Sequence, residues 1–277
     1  MKFGFVLPSG GARAAADFAR LAEDSGWDGF FVWEPVWGVD AWVALTAAAM
    51  RTERIRLGTM LTPLPRRRPW DLAGQVATLD NLSGGRVILS VGLGAVHDGW
   101  LAFEPDPGRR VRAELMDEGL AVLTGLWGGQ PFSYEGRHFT VRPTDFAVPP
   151  PPVQRPRVPI WVVGGWPAPR SMRRAARWDG WLPNLVGAEG AGHTEPRHVR
   201  EGVEWVRAAR AEEGLDMAGY DVVTEGVTPA DDPAGARAVV EPWREAGATW
   251  WIESNWSVPA EDLRDYVTRR LSAGPPA

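Results

Sequence analysis

Three kinds of residue in this 277-residue sequence could do chemistry: ionisable side chains just after apolar runs, a glycine pair ahead of a helix, and a recurring set of tryptophans. The ionisable candidates are Glu34, His97 and Asp98, with Glu225 and Glu253 in equivalent places further on. A histidine or carboxylate held at a strand end can hydrogen-bond a substrate or relay a proton. His97, in GLGAVHD, is the histidine with that placement, and the competing reading is a solvated loop residue. His193 and His198 lie five apart, which is not the i,i+4 spacing of a metal pair, so no metal is expected. Glu34, Glu225 and Glu253 admit another chemistry, the acid and base of a glycoside hydrolase.

Gly164-Gly165 closes the run PIWVVGG just before a helix start. Free backbone N–H groups and the helix macrodipole would favour an anion there, such as a ligand phosphate; the alternative is a plain tight turn. Trp33, Trp37, Trp70, Trp100, Trp166, Trp181 and Trp256 all fall at or just beyond the ends of apolar runs. Together they would form an aromatic wall suited to a planar ring, although sugars and bulky apolar substrates use such walls too.

These residues can meet only if the fold gathers strand ends in one place. Apolar runs alternate with segments of helical period: strand Lys2–Leu7 and helix Ala12–Ser25, strand Gly29–Trp33 and helix Trp42–Thr52, strand Ile55–Leu61 and helix Pro69–Leu82, strand Val87–Val91 and helix Arg109–Leu126. Strands Ile160–Val163, Gly180–Pro183, Asp221–Gly226 and Thr249–Glu253 follow, with helices Ser171–Arg177, Val199–Glu213, Pro233–Ala246 and Ala260–Ser272. Eight strand–helix pairs predict an α/β protein with a (β/α)8 TIM barrel, whose strand C-termini converge on one mouth. Gly26, Gly85 and Gly128 are expected at left-handed helix ends. Residues Gln130–Arg157 break the rhythm: a hairpin with a Glu-Gly turn in FSYEGRHFTV and a proline-rich connector make an excursion between helix four and strand five. A domain linker is the alternative, but the register resumes at once, so one domain over 1–277 is expected.

Composition removes several classes. With no cysteine, disulfides, iron–sulfur clusters and thiol nucleophiles are excluded, and Lys2 is the only lysine, which leaves no candidate for Schiff-base or P-loop chemistry at a strand end. A net charge of −5 without a clustered basic face argues against nucleic acid. No apolar stretch approaches a membrane span and no export pattern precedes the first strand, so a cytoplasmic protein is expected.

The segments LGTMLTPLPRRRPWDLAGQVATLDNLSGGRVILSVGLG, FSYEGRHFTV, PPPVQRPRVPIWVVGG and RRAARWDG resemble the bacterial luciferase-like family of flavin-dependent oxidoreductases across most of the chain. The resemblance implies a barrel with FMN or the deazaflavin F420 in its mouth, the phosphate near strand five, and a small organic substrate. Monooxygenation or hydride transfer would follow, the former with a separate reductase supplying reduced flavin. Carried onto this sequence, the cofactor contacts are Thr59, Met60, Leu61, Gly94, Val163, Gly164, Gly165 and Trp166, with a non-proline cis peptide at Met60–Leu61. His97, Glu34 and Asp98 are the implied proton-handling residues, and a homodimer through the second and third helices is the implied assembly. The deazaflavin-dependent sugar-phosphate dehydrogenases of the family carry Asp-His after strand two and Gly-x-Gly-Glu after strand four. This sequence has Trp33-Glu34-Pro35 and Gly92-Leu93-Gly94-Ala95 instead, which puts that acid–base chemistry in doubt. A non-catalytic flavin-binding protein stays open beside the enzyme reading.

Overall fold

Lys2–Leu7 (β1) and Gly29–Val32 (β2) run parallel, with Gly4 beside Gly29 and Val6 beside Phe31. Six further parallel strands continue the ring: Arg56–Thr59 (β3), Val87–Gly92 (β4), Ile160–Trp166 (β5), Gly180–Leu185 (β6), Asp221–Gly226 (β7) and Trp250–Glu253 (β8). β8 pairs back onto β1 through Phe3 and Trp251, which closes the barrel. The computed structural model describes residues 1–96, 98–187 and 194–276.

The interior is made by period-two alternation. Val6, Phe31, Met60, Ile88, Trp161, Leu182, Val223, Trp250 and Ile252 form the inner cluster, while Phe5, Phe30, Leu57, Leu89, Val162, Trp181, Val222 and Trp251 point outward to the helices. Three large rings meet inside, Phe31 lying 5.5 Å from Trp161 and 6.1 Å from Trp250, centroid to centroid. Glycines on the same and neighbouring strands make the room. A methyl at Gly29 would lie 2.7 Å from the Phe31 ring, and one at Gly180 would lie 2.5 Å from the Trp161 ring.

The outer helices are Ala12–Asp24 (α1), Ala41–Ala49 (α2), Pro69–Ser83 (α3), Arg109–Trp127 (α4), Pro169–Ala176 (α5), Pro196–Glu212 (α6), Pro233–Glu245 (α7) and Leu263–Ser272 (α8). Proline starts α3, α5, α6 and α7, where its missing N–H costs no helical hydrogen bond. Asp40 caps α2 by accepting from the Val43 N–H at 2.9 Å, and Asp232 caps α7 from Gly235 at the same distance. No helix among the described residues is long and apolar enough to cross a membrane.

Some boundaries differ from the expectation. The predicted strand Ile55–Leu61 ends at Thr59; the Met60–Leu61 peptide is cis as implied, and Thr62–Pro63 then pairs separately with the end of β4. β5 and β6 run three and two residues longer than predicted, because their pairing persists to Trp166 beside Leu185. Gly26 and Gly85 take positive φ, but Gly128 is right-handed and the positive φ falls on Gly129. In the hairpin, Tyr134–Glu135 pairs with Thr140–Val141 and the turn is closed from Gly136 to Phe139 rather than at Glu-Gly alone. The Glu118 carboxylate fixes that turn by accepting the N–H groups of Arg137, His138 and Phe139. β4 pairs with β5 directly across the excursion, Leu89 beside Ile160.

Candidate active site at the barrel mouth

A cavity of about 730 Å³ opens at the C-terminal ends of the strands. Pro8, Trp33, Gly92, Gly165 and Asn184 line it, each continuing the inward parity of its strand, and Met60, Leu61 and Val163 supply an apolar floor. Gly92 gives space to its neighbours, since a Cβ there would lie 2.9 Å from Leu61 and 3.2 Å from Val163. Gly94 has a φ of 78°, and a Cβ would meet Trp100 at 2.6 Å, so both conformation and space require glycine.

One corner is basic and polar. The Gly165 N–H donates to the Ser171 hydroxyl at 2.9 Å, and an added Cβ at Gly165 would lie 3.5 Å from that oxygen and 3.8 Å from an Arg109 guanidinium nitrogen. Ser171 stands in the first turn of α5 and Arg109 opens α4. The Arg109 guanidinium has no hydrogen-bond or ion-pair partner among the described residues. Nearby cations are committed elsewhere. Arg112 donates to the carbonyls of Leu93 and Gly94, at 3.3 and 2.9 Å, and pairs with Asp106 at 3.0 Å. Arg66 pairs with Glu104 at 2.6 Å, and both Arg66 and Arg112 pack on the buried Trp100 ring. These contacts anchor the chain that follows β4.

Glu34 lines the cavity, with both carboxylate oxygens engaged. It pairs with Arg67 at 2.9 Å and accepts from Thr62 at 2.8 Å and from the Trp42 indole at 3.3 Å. Thr62 lies 3.0 Å from Thr59, whose hydroxyl is buried between β3 and β4 within reach of the Ser90 carbonyl.

The structure therefore brings together Glu34, Met60, Leu61, Gly94, Val163 and Gly165 from the expected set. Thr59, Gly164 and Trp166 do not line the cavity. Gly164 and Trp166 have the outward parity of β5: a Cβ on Gly164 would meet Trp181 at 2.5 Å, and Trp166 packs against the outer core. Only one glycine of the pair faces the mouth. His97 lies outside the described residues, and Asp98 begins a short helix, Asp98–Leu101, that the sequence reading did not predict. Of the tryptophans, Trp33, Trp100 and Trp256 line the cavity. Trp37 is on the rim, Trp70 packs on Phe139, and Trp181 is buried behind β6.

Sequence reasoning missed Arg109, Ser171 and Arg67. Ser171 was legible as a hydroxyl in the first turn after Gly164-Gly165, whereas Arg109 reads as one solvated arginine among many until α4 is placed beside β5. The hydrolase reading loses its carboxylates. Glu253 has outward parity and is wholly buried against Arg270 and Thr228, Glu225 does not line the cavity, and Glu34 is held by Arg67. No group of three or more potential metal ligands occurs among the described residues.

The donor set and space fit a flavin-type cofactor: an apolar floor, a glycine-backed wall, and at one end for a phosphate a hydroxyl and a guanidinium that has no partner among the described residues. The fold and site thus define a (β/α)8 barrel with its pocket at the usual face for barrel enzymes. Residues 1–271 match the family model for luciferase-like monooxygenases, and the chain belongs to that family. It is 32% identical over 257 residues to a Mycobacterium tuberculosis protein provisionally named a coenzyme F420-dependent oxidoreductase, covering 88% of this chain and 71% of that one. In structure it is similar to the monooxygenase RslO1 of Streptomyces bottropensis, with a TM-score of 0.80 at 23% identity, covering 99% and 98% of the two chains. The coenzyme F420-dependent tetrahydromethanopterin reductase of Methanopyrus kandleri superposes with a TM-score of 0.78 at 19% identity, covering 98% and 97%.

Proposed function

We propose that this chain is an oxidoreductase that binds a flavin-type ring in the barrel mouth, F420 in preference to FMN, and acts on a small organic substrate. The observation that carries the reading is the mouth itself: one cavity joins an apolar floor at Met60, Leu61 and Val163 to the Ser171–Arg109 corner. The preference for F420 rests on the similarity to the mycobacterial protein named for that coenzyme. Such a ring, when bound, supplies two-electron redox chemistry that the side chains lack. Arg109 and Ser171 hold the phosphate, Met60, Leu61 and Val163 support the ring and exclude water, and Trp33 and Trp256 give the substrate an aromatic surface.

Glu34 serves chiefly to position. Its bonds from Arg67, Thr62 and Trp42 engage both carboxylate oxygens, and they fix the segment around Met60–Leu61. Proton handling by His97 and Asp98 remains part of the proposal. Substrate oxygenation, as opposed to hydride transfer, requires a separate reductase to deliver the reduced cofactor. The work would take place in the cytoplasm. Reoxidation of reduced F420 or reduced FMN, followed at the cofactor's absorbance band against a panel of small carbonyl and aromatic compounds, tests the reading. Substrate-dependent reoxidation is expected with at least one compound, and binding without turnover against the whole panel would favour a non-catalytic flavin-binding protein.

A further inference from the structure

The parity that builds the mouth also arms the opposite end of the barrel. Lys2, Arg56 and Asp221, at the starts of β1, β3 and β7, line a second cavity of about 250 Å³ with Arg155, Arg157 and Asp179. Trp250 forms its inner wall. Four cations meet two carboxylates here, so two positive charges are in excess.

The two carboxylates already serve the fold. Asp179 accepts from the Ile160 N–H at 2.9 Å and pairs with Arg157 at 3.0 Å. Asp221 accepts from the Trp161 indole and the Thr249 hydroxyl, both at 3.1 Å. The other three cations have no ion pair among the described residues. Arg56 donates only to neutral oxygens, the Gly85 carbonyl at 3.1 Å and the Gln154 amide at 2.9 Å. Arg155 donates to backbone carbonyls of Pro152 and Val153, and the Lys2 ammonium lies over the Trp250 ring at 5.2 Å. Burial pushes the Arg56 guanidinium below the usual arginine range, outweighing the attraction of Asp80 and Asp221. These charges share one concave wall.

We propose that this cavity on the N-terminal face binds a small phosphorylated anion of pyrophosphate size, held by Lys2, Arg56 and Arg155. Guanidinium groups suit phosphate because their parallel N–H donors match its oxygens, and the site is separate from the mouth, so the anion would act as a stabiliser or effector. It does not depend on the redox reading.

Titration calorimetry of the full chain with sodium pyrophosphate at fixed ionic strength tests it, because screening would otherwise mask or mimic binding. Saturable one-to-one binding with a dissociation constant below about 1 mM is expected, weakened roughly tenfold or more by Arg155→Ala and by Lys2→Gln. Both side chains are exposed, so the variants should fold, which circular dichroism checks. Gly165→Asp, in the mouth, should leave this binding unchanged. Absence of saturation by about 10 mM, equal affinity in the Arg155 and Lys2 variants, or loss in Gly165→Asp alone would overturn the proposal. Equal binding of citrate would also overturn it by showing general attraction of polyanions.

Discussion

Gly165 faces the mouth beside Ser171 and Arg109, whose guanidinium has no partner among the described residues, and this makes it the residue whose substitution separates phosphate binding from folding. A carboxylate introduced by Gly165→Asp would repel a cofactor phosphate and pair with Arg109 in its place. The new side chain would press on Val186, which is 41% exposed and able to move, so the fold should survive. The expected outcome is a loss of FMN affinity of about tenfold or more with riboflavin, which has no phosphate, much less affected. Equal loss for both ligands at unchanged thermal stability would move the phosphate elsewhere. A second residue-scale prediction concerns Glu23, a buried carboxylate at the end of α1. Burial alone would raise its pKa, but N–H donation from Ile55, Arg54 and Glu53 outweighs it and holds the group below the usual glutamate range. A depressed folded-state pKa means the stabilisation is present above the ordinary glutamate value and is lost as pH falls through the folded value. Glu23→Gln should therefore cost about 2 kcal/mol at neutral pH and flatten the acid limb of stability against pH, measured by urea denaturation between about pH 3 and 7.

At the scale of elements, β6 and α6 fit closely. Trp181 leaves the barrel wall to fill a slot opposite Gly202, where an added methyl would lie 2.0 Å from the indole. Gly202→Ala should destabilise the protein by about 2–3 kcal/mol, because overpacking forces the ring or the helix to shift, and Trp181→Phe in the same chain should recover part of that loss. Additive costs in the double variant would show that the two sites do not touch. Such contacts mark the limit of sequence reading. The strand–helix order, the closing of the barrel and the Met60–Leu61 bond were legible, because apolar period and family-like segments extend over many residues. Parity was legible in principle, yet treating Gly164-Gly165 as a unit obscured it: consecutive strand residues must face opposite ways, so only Gly165 reaches the ligand side. Arg109 and the Arg67–Glu34 pair were not legible, since they depend on which loop folds over which strand.

For the whole molecule, the distribution of apolar surface predicts self-association. α2 carries no charged residue, Val43 on it is 60% exposed, and Met50 at its end is 67% exposed. Trp37 just before it is 81% exposed. A homodimer is the expected assembly, and light scattering after size exclusion should return about twice the 30.3 kDa chain mass, with Val43→Glu shifting the protein to monomer. The central claim is that the mouth holds a flavin-type ring, and parallel titration of the folded protein with F420 and FMN, oxidised and anaerobically reduced, tests it most directly. Stoichiometric binding of at least one cofactor is expected with a dissociation constant of about micromolar or below, near −8 kcal/mol, and tighter binding of F420 than of FMN. Failure of both cofactors to bind in either redox state at tens of micromolar would contradict it.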